Sequence, residues 1–141
     1  MLEALRLSLN ATAISGFFIY ILVAVTLFAL FQLLYTRITP HREFEQIRQN
    51  NPAAAIALGG SLIGFALPAS NIIAYSINVV DVVVWVLIAA LVQLLAFAAT
   101  ALVLKGLAKR IVAGELAAAI YAAAVAISVG MLNSACMTPS A

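Results

Sequence analysis

The chain has 141 residues, 66% of them hydrophobic and only 9% charged. Soluble domains carry roughly 25% charged residues, and a mean hydropathy of +1.17 leaves too little polar surface to cover a core in water. The net charge of +2 sits in short basic patches between apolar runs, which excludes a nucleic-acid-binding surface and points to membrane topology.

Residues 1–10 read as a tail facing outward. The first apolar run extends from Ala11 to Tyr35, too long for the core of a signal peptide, and predicts a retained helix. The stretch from Arg37 to Asn51 is polar and carries Pro40. His41, the one histidine of the chain, invites a pH-sensing or catalytic role. With no second histidine, a metal site or a His-based triad lacks its other members, so Pro40 and His41 read as loop or cap residues on the cytoplasmic side. Residues Glu43 to Arg48 fit a segment lying along the membrane surface, with Phe44 and Ile47 as its apolar contacts.

The second run extends from Pro52 to Tyr75. Pro52 suits a first helical turn, with Asn50 or Asn51 as cap. Asn78 and Asp81 interrupt the apolar pattern, Asp81 reading as a turn or cap residue, and the third run covers Val82 to Leu104. Lys105 to Glu115 separates it from the fourth, Leu116 to Cys136. Each run reaches the roughly 20 residues that a membrane helix needs, and none contains an acidic or basic residue. The runs are apolar on every face, which excludes the alternation of a membrane β-barrel. The fold class is therefore an all-α membrane protein with four transmembrane helices. Six of the seven Lys and Arg residues lie in the first and third connections, against Arg6 alone on the other side. Both connections are expected to be cytoplasmic and both termini outward.

A shift of about 64 residues sets Ala53-Ala54-Ala55-Ile56 on Ala117-Ala118-Ala119-Ile120, Gly64 on Ser128 and Ser70 on Ser134. The Gln32 to Leu34 and Gln93 to Leu95 triplets match at a different offset. Residues 11–76 and 77–141 would then be two tandem helical hairpins entering from the same side, a parallel internal repeat. Gly60 and Gly64 make a GxxxG pair in the second span. Ala122, Ala126, Gly130 and Ser134 make a small-residue row in the fourth. Such rows let helix backbones approach within lipid, between the hairpins of one chain or between copies.

Near the outer end lie Pro68, Ser70 and Asn71, and opposite them Asn133, Ser134, Cys136 and Thr138. These groups either satisfy helix ends and the carbonyl that Pro68 frees, or line a small polar vestibule. The lone Cys136 excludes a disulfide within the chain.

Several of these stretches together resemble a known family. They are the Ile38-Thr39-Pro40-His41 loop, the Asn51 to Ala55 helix start, the Gly59-Gly60-Ser61-Leu62-Ile63-Gly64 run, Pro68, and the ending Asn133-Ser134-Ala135-Cys136-Met137-Thr138. They resemble the bacterial inner-membrane proteins of domain of unknown function 350, also called uncharacterised protein family 0719. The resemblance covers nearly the whole chain after the tail. It implies a multi-pass protein of the bacterial cytoplasmic membrane with a duplicated two-helix unit, and carries no activity or residue role with it.

The functional expectation is a non-catalytic membrane component, acting as a homo-oligomer or docking a cytoplasmic or envelope protein partner within the lipid bilayer. The alternative is a small ion or solute channel or transporter formed by oligomerisation. Catalysis is not expected, because no span contains Asp, Glu, Lys, Arg or His, and no cofactor or metal is called for.

Overall fold

The structure, a computed structural model, describes residues 1–137, so Thr138 lies outside the described residues. In chain order its helices are α1 (Leu2–Ser8), α2 (Ala11–Ile38), α3 (Glu43–Arg48), α4 (Pro52–Tyr75), α5 (Val79–Val103), α6 (Leu107–Val112) and α7 (Leu116–Cys136). Four of them, α2, α4, α5 and α7, are long and apolar enough to cross a membrane.

Side-chain caps set most of the starts. The side chain of Asn10 accepts from the Ala13 N–H at 2.7 Å and that of Asn51 from the Ala53 N–H at 3.0 Å, with Pro52 in the turn that has no N–H partner to lose. Asn78 caps α5 by accepting from the Asp81 N–H at 3.0 Å, so α5 begins at Val79 rather than Val82. Asp81 belongs to its first turn and is not the cap. At the other end α2 runs one turn past Tyr35 to Ile38. There Thr39, which precedes Pro40, turns extended because a residue before proline is crowded out of the helical region. The N-terminal tail is not irregular: it forms α1, with no buried residue.

The centre of the fold is the parallel pair α4 and α7, which begin at the same end. Their seam is built of small residues. A Cβ added to Gly60 would overlap Ala123, one on Gly64 would overlap the Ala126 carbonyl and the Gln93 amide, and one on Gly130 would overlap the Gly64 carbonyl. Backbones thus touch where side chains would normally intervene, the packing that replaces the hydrophobic drive inside lipid. α5 lies against both members of the pair and buries seven residues, from Val82 to Thr100. α2 leans on α4 and α5 and buries only Leu27, Phe31 and Tyr35 of its 28 residues. Phe31 stacks on Phe65 of α4 with ring centroids 4.1 Å apart, and Tyr35 meets Phe97 of α5 edge-on at 5.4 Å.

The two short helices close the end at which α4 and α7 begin, and each is entered and left through left-handed backbone. Arg42 (φ 38°) precedes α3 and Gly106 (φ 74°) precedes α6; Asn50 (φ 62°) follows α3 and Gly114 (φ 80°) follows α6. Glycine takes this conformation freely, whereas Arg42 holds it only because the surrounding contacts impose it.

Candidate functional site

The residues singled out in the sequence fall into three places. Gly60, Gly64, Ala122, Ala126 and Gly130 all lie buried in the α4–α7 seam. The outer polar residues lie around the far end of the same seam, and each that bonds reaches helix backbone. Asn71 Nδ2 donates to the Ser134 carbonyl at 2.7 Å, and the hydroxyls of Ser70 and Ser134 donate to the Leu67 carbonyl at 2.8 and 3.4 Å. Pro68 is buried within α4, and the Asn133 Nδ2 is buried with no hydrogen-bond partner. A cavity of about 290 Å³ does open at this end, but Tyr75, Ser76, Asp81, Trp85 and Cys136 line it rather than Ser70, Asn71, Asn133 or Ser134. Gln93 sits level with Gly64, mid-helix rather than near an end, and donates Nε2 to the Ala126 carbonyl at 3.0 Å.

The third place departs from the sequence reading. Pro40 is exposed, as a loop residue should be, but His41 is 4% exposed and Glu43 is fully buried. The stretch from Glu43 to Arg48 does not present Phe44 and Ile47 as one apolar face. It folds as α3, turning Ile47 and Glu43 into the bundle and leaving Phe44 outside. The left-handed Arg42 makes that inward turn, sending its own side chain outward to Glu45 at 3.4 Å.

Glu43 then sits within a small polar cluster. The Thr39 hydroxyl lies against Glu43 Oε1 and 2.9 Å from the Tyr35 carbonyl. His41 Nε2 is 3.3 Å from the same carboxylate oxygen but out of hydrogen-bond alignment, and both ring nitrogens and Glu43 Oε2 are buried without a hydrogen-bond partner. From α2, Tyr35 comes near enough to interact with the Glu43 charge and meets Ser61 of α4, while Phe97 of α5 tilts against the His41 ring at 6.4 Å. Burial pushes the His41 imidazole below its ordinary range, and Glu43 offsets this only in part. Buried side-chain polar atoms without partners are uncommon, and three of the five among the described residues lie on His41 and Glu43.

Thr39 and Ser61 entered the sequence reading only within the stretches that carry the family resemblance, and neither Glu43 nor Tyr35 was given a polar role there. A charged run such as Arg42-Glu43-Phe44-Glu45 reads as surface. One signal was available: the 64-residue shift sets Glu43 on Leu107, an acid on an apolar position.

The chain matches the family described as Domain of Unknown Function (DUF350) over residues 8–137. It is 34% identical over 123 residues to the UPF0719 inner membrane protein YjfL of Escherichia coli (strain K12), covering 87% of this chain and 93% of that protein. The same identity and coverage hold for the YjfL protein of Escherichia coli O157:H7. No solved structure matches the chain.

Proposed function

The chain belongs to the DUF350 family, and on that premise we propose that it is a multi-pass component of the bacterial inner membrane that works by helix association, without catalysing a reaction. The location follows its relatives, which are named as inner membrane proteins. The one observation that carries the association reading is the contrast between α2 and α5. Helices of similar length and hydropathy bury three residues in one case and seven in the other, so α2 has a lateral surface that its own chain leaves uncovered.

The reading is supported by the tandem repeat, to which the two corners add detail. The 64-residue shift carries α3 onto α6, Arg42 onto Gly106 and Asn50 onto Gly114. It also carries the Gln46–Asn51 side-chain hydrogen bond onto the Arg110–Glu115 ion pair, and the Asn51 N–H to Gln46 carbonyl bond onto Glu115 and Arg110, both at 3.0 Å. In this reading each hairpin is one unit, both corners are cytoplasmic and both termini are outward. The second reading, a channel, draws on the half-polar cavity near Asp81. That cavity meets the closed α4–α7 seam, so a solute path would have to run between copies.

The test is native mass in lipid nanodiscs. An assembly of two or more chains is the expected result, and a single chain per disc across lipid compositions would refute association. Vesicles holding the assembled protein are expected to show no flux of monovalent ions, and flux would select the channel.

A further inference from the structure

The α4–α7 seam joins equivalent helices of the repeat through unlike faces. α4 offers Ala53, Ala57, Gly60 and Gly64; α7 offers Ala119, Ala123, Ala126 and Gly130; all eight are buried, and beside them the equivalent pairs Ala54 with Ala118 and Leu58 with Ala122 are buried on both helices. Under the 64-residue shift the first set becomes Ala117, Tyr121, Ala124 and Ser128, and every one of these is exposed. The second set becomes Ala55, which is exposed, and Gly59, Leu62 and Ala66, which are half-buried, Leu62 with one side against the chain's own core. A two-fold contact would use the same face on both helices. A contact between unlike faces leaves one of each unused, and those two can meet only on another molecule.

We propose that a second copy of this chain occupies them: α7 of one copy docks its Ala117, Tyr121, Ala124 and Ser128 face on the Ala55, Gly59, Leu62 and Ala66 face of α4 in the next, head to tail. This rests on the helix-association reading and names its partner and geometry. Size complementarity supports it at the tightest level of the seam. Within the chain Gly60 meets Ala123; between chains the equivalent pair is Ala124 against Gly59, the methyl group moved to the other helix. Nothing lies within 4 Å of where a Cβ on Gly59 would stand, so there is room for that methyl. One level on, Ser128 faces Leu62 and Ala66 where Gly64 faces Ala126 and Gly130, so the seam between chains is wider there.

The same arrangement accounts for α2. α5 is covered on one side by α2 and α4, the unit before it in the chain, and on the other by α7. α2 has no unit before it. In the head-to-tail assembly, α5 and α7 of the neighbouring copy stand where that unit would be, and α2 gains the cover that α5 already has. A contact of this kind closes into a ring if its rotation permits and otherwise extends as a filament.

Disulfide cross-linking distinguishes the possibilities. In a Cys136→Ala background the double variant Gly59→Cys, Ala124→Cys, oxidised in lipid vesicles, is expected to give covalent products larger than a dimer, with neither single variant cross-linking. Cross-linking of Ala124→Cys alone, stopping at the dimer, would show a two-fold contact and overturn the proposal. No cross-link from a double variant whose native mass exceeds one chain would overturn this interface and leave association standing. A native mass of one chain would remove both. Independently, Ser128→Trp is expected to abolish the assembly while leaving the chain folded, and an undiminished assembly would count against the face assignment.

Discussion

The corners at α3 and α6 have the same backbone and different chemistry. Each is a six-residue helix entered and left through left-handed residues, with its first side chain buried. At α6 that side chain is Leu107, 2% exposed and packed among alanines; at α3 it is Glu43, fully buried beside Thr39 and His41. The α6 corner shows that a leucine is enough to build this turn. The acid, the imidazole and the hydroxyl at α3 are therefore additions to the fold rather than its requirement, and they occur at one of the two corners.

Exchanging the two chemistries should do the most damage. Leu107→Glu puts a carboxylate where no histidine or threonine waits for it. It is expected to cost about 3 to 5 kcal/mol, the range for an uncompensated buried charge, read as loss of the folded fraction in denaturant titrations in mixed micelles. The seam tests the same asymmetry at lower cost. Gly64→Leu should lose on the order of 1 to 3 kcal/mol through overpacking against Ala126 and Gln93. Ser128→Leu, at the exposed equivalent of Gly64, should leave the stability of the single chain unchanged; equal losses would deny that the two faces differ.

The residues that start α4 and α7, Asn51 and Glu115, differ in the bonds they make. Asn51 accepts from the Ala53 N–H and donates to the Gln46 side chain and, at 2.9 Å, to the Ile111 carbonyl of α6, whereas Glu115 makes no capping bond. Asn51→Ala is expected to cost roughly 0.5 to 2 kcal/mol, and Glu115→Ala clearly less, by thermal unfolding. Glu43→Leu is expected to stay within about 1 kcal/mol of the unmodified protein or above it, because the Thr39 hydroxyl keeps its bond to the Tyr35 carbonyl, the His41 nitrogens have no hydrogen bond to lose, and leucine already fills the matching place at α6.

The pH arm concerns His41. The docked corner lowers the proton affinity of the imidazole, while the opened corner binds a proton in the ordinary range near 6.5. Stability from docking is then complete above that pH and declines as pH falls below it. Amide exchange of residues 43–48, corrected for its intrinsic rate, should speed up between about pH 7.5 and 5.5, while residues 107–112 stay constant. His41→Phe should erase the difference, and parallel behaviour of the two corners would contradict the assignment.

The four spans were legible because each is a run of some 20 uncharged apolar residues, a pattern that few other structures share. The meeting of Gly60 and Gly64 with the fourth helix was legible for a related reason, since small residues at four-residue spacing have little other use in lipid. The corner chemistry was not. Six residues are too few for a helical period to register, and Arg42, Glu43, Glu45 and Arg48 give the segment the look of surface. What turns Glu43 inward is the left-handed backbone at Arg42, which no local propensity announces. The start of α5 was misjudged by one turn because Asp81, an acidic residue among valines, reads as a boundary while the capping side chain is three residues earlier.

The α4–α7 seam has a consequence for biosynthesis. α4 enters the bilayer two long helices ahead of α7, and until α7 arrives Gly60 and Gly64 expose bare backbone to lipid or to the insertion machinery. During that interval α4 has only α2 and then α5 beside it; α5 brings Gln93 to Gly64, while the contact at Gly60 comes only from Ala123 of α7. Completion of the bundle therefore waits on the last helix, and a ribosome that stalls before Leu116 leaves a chain whose centre is missing, an open groove that quality-control proteases and chaperones of the membrane can grip.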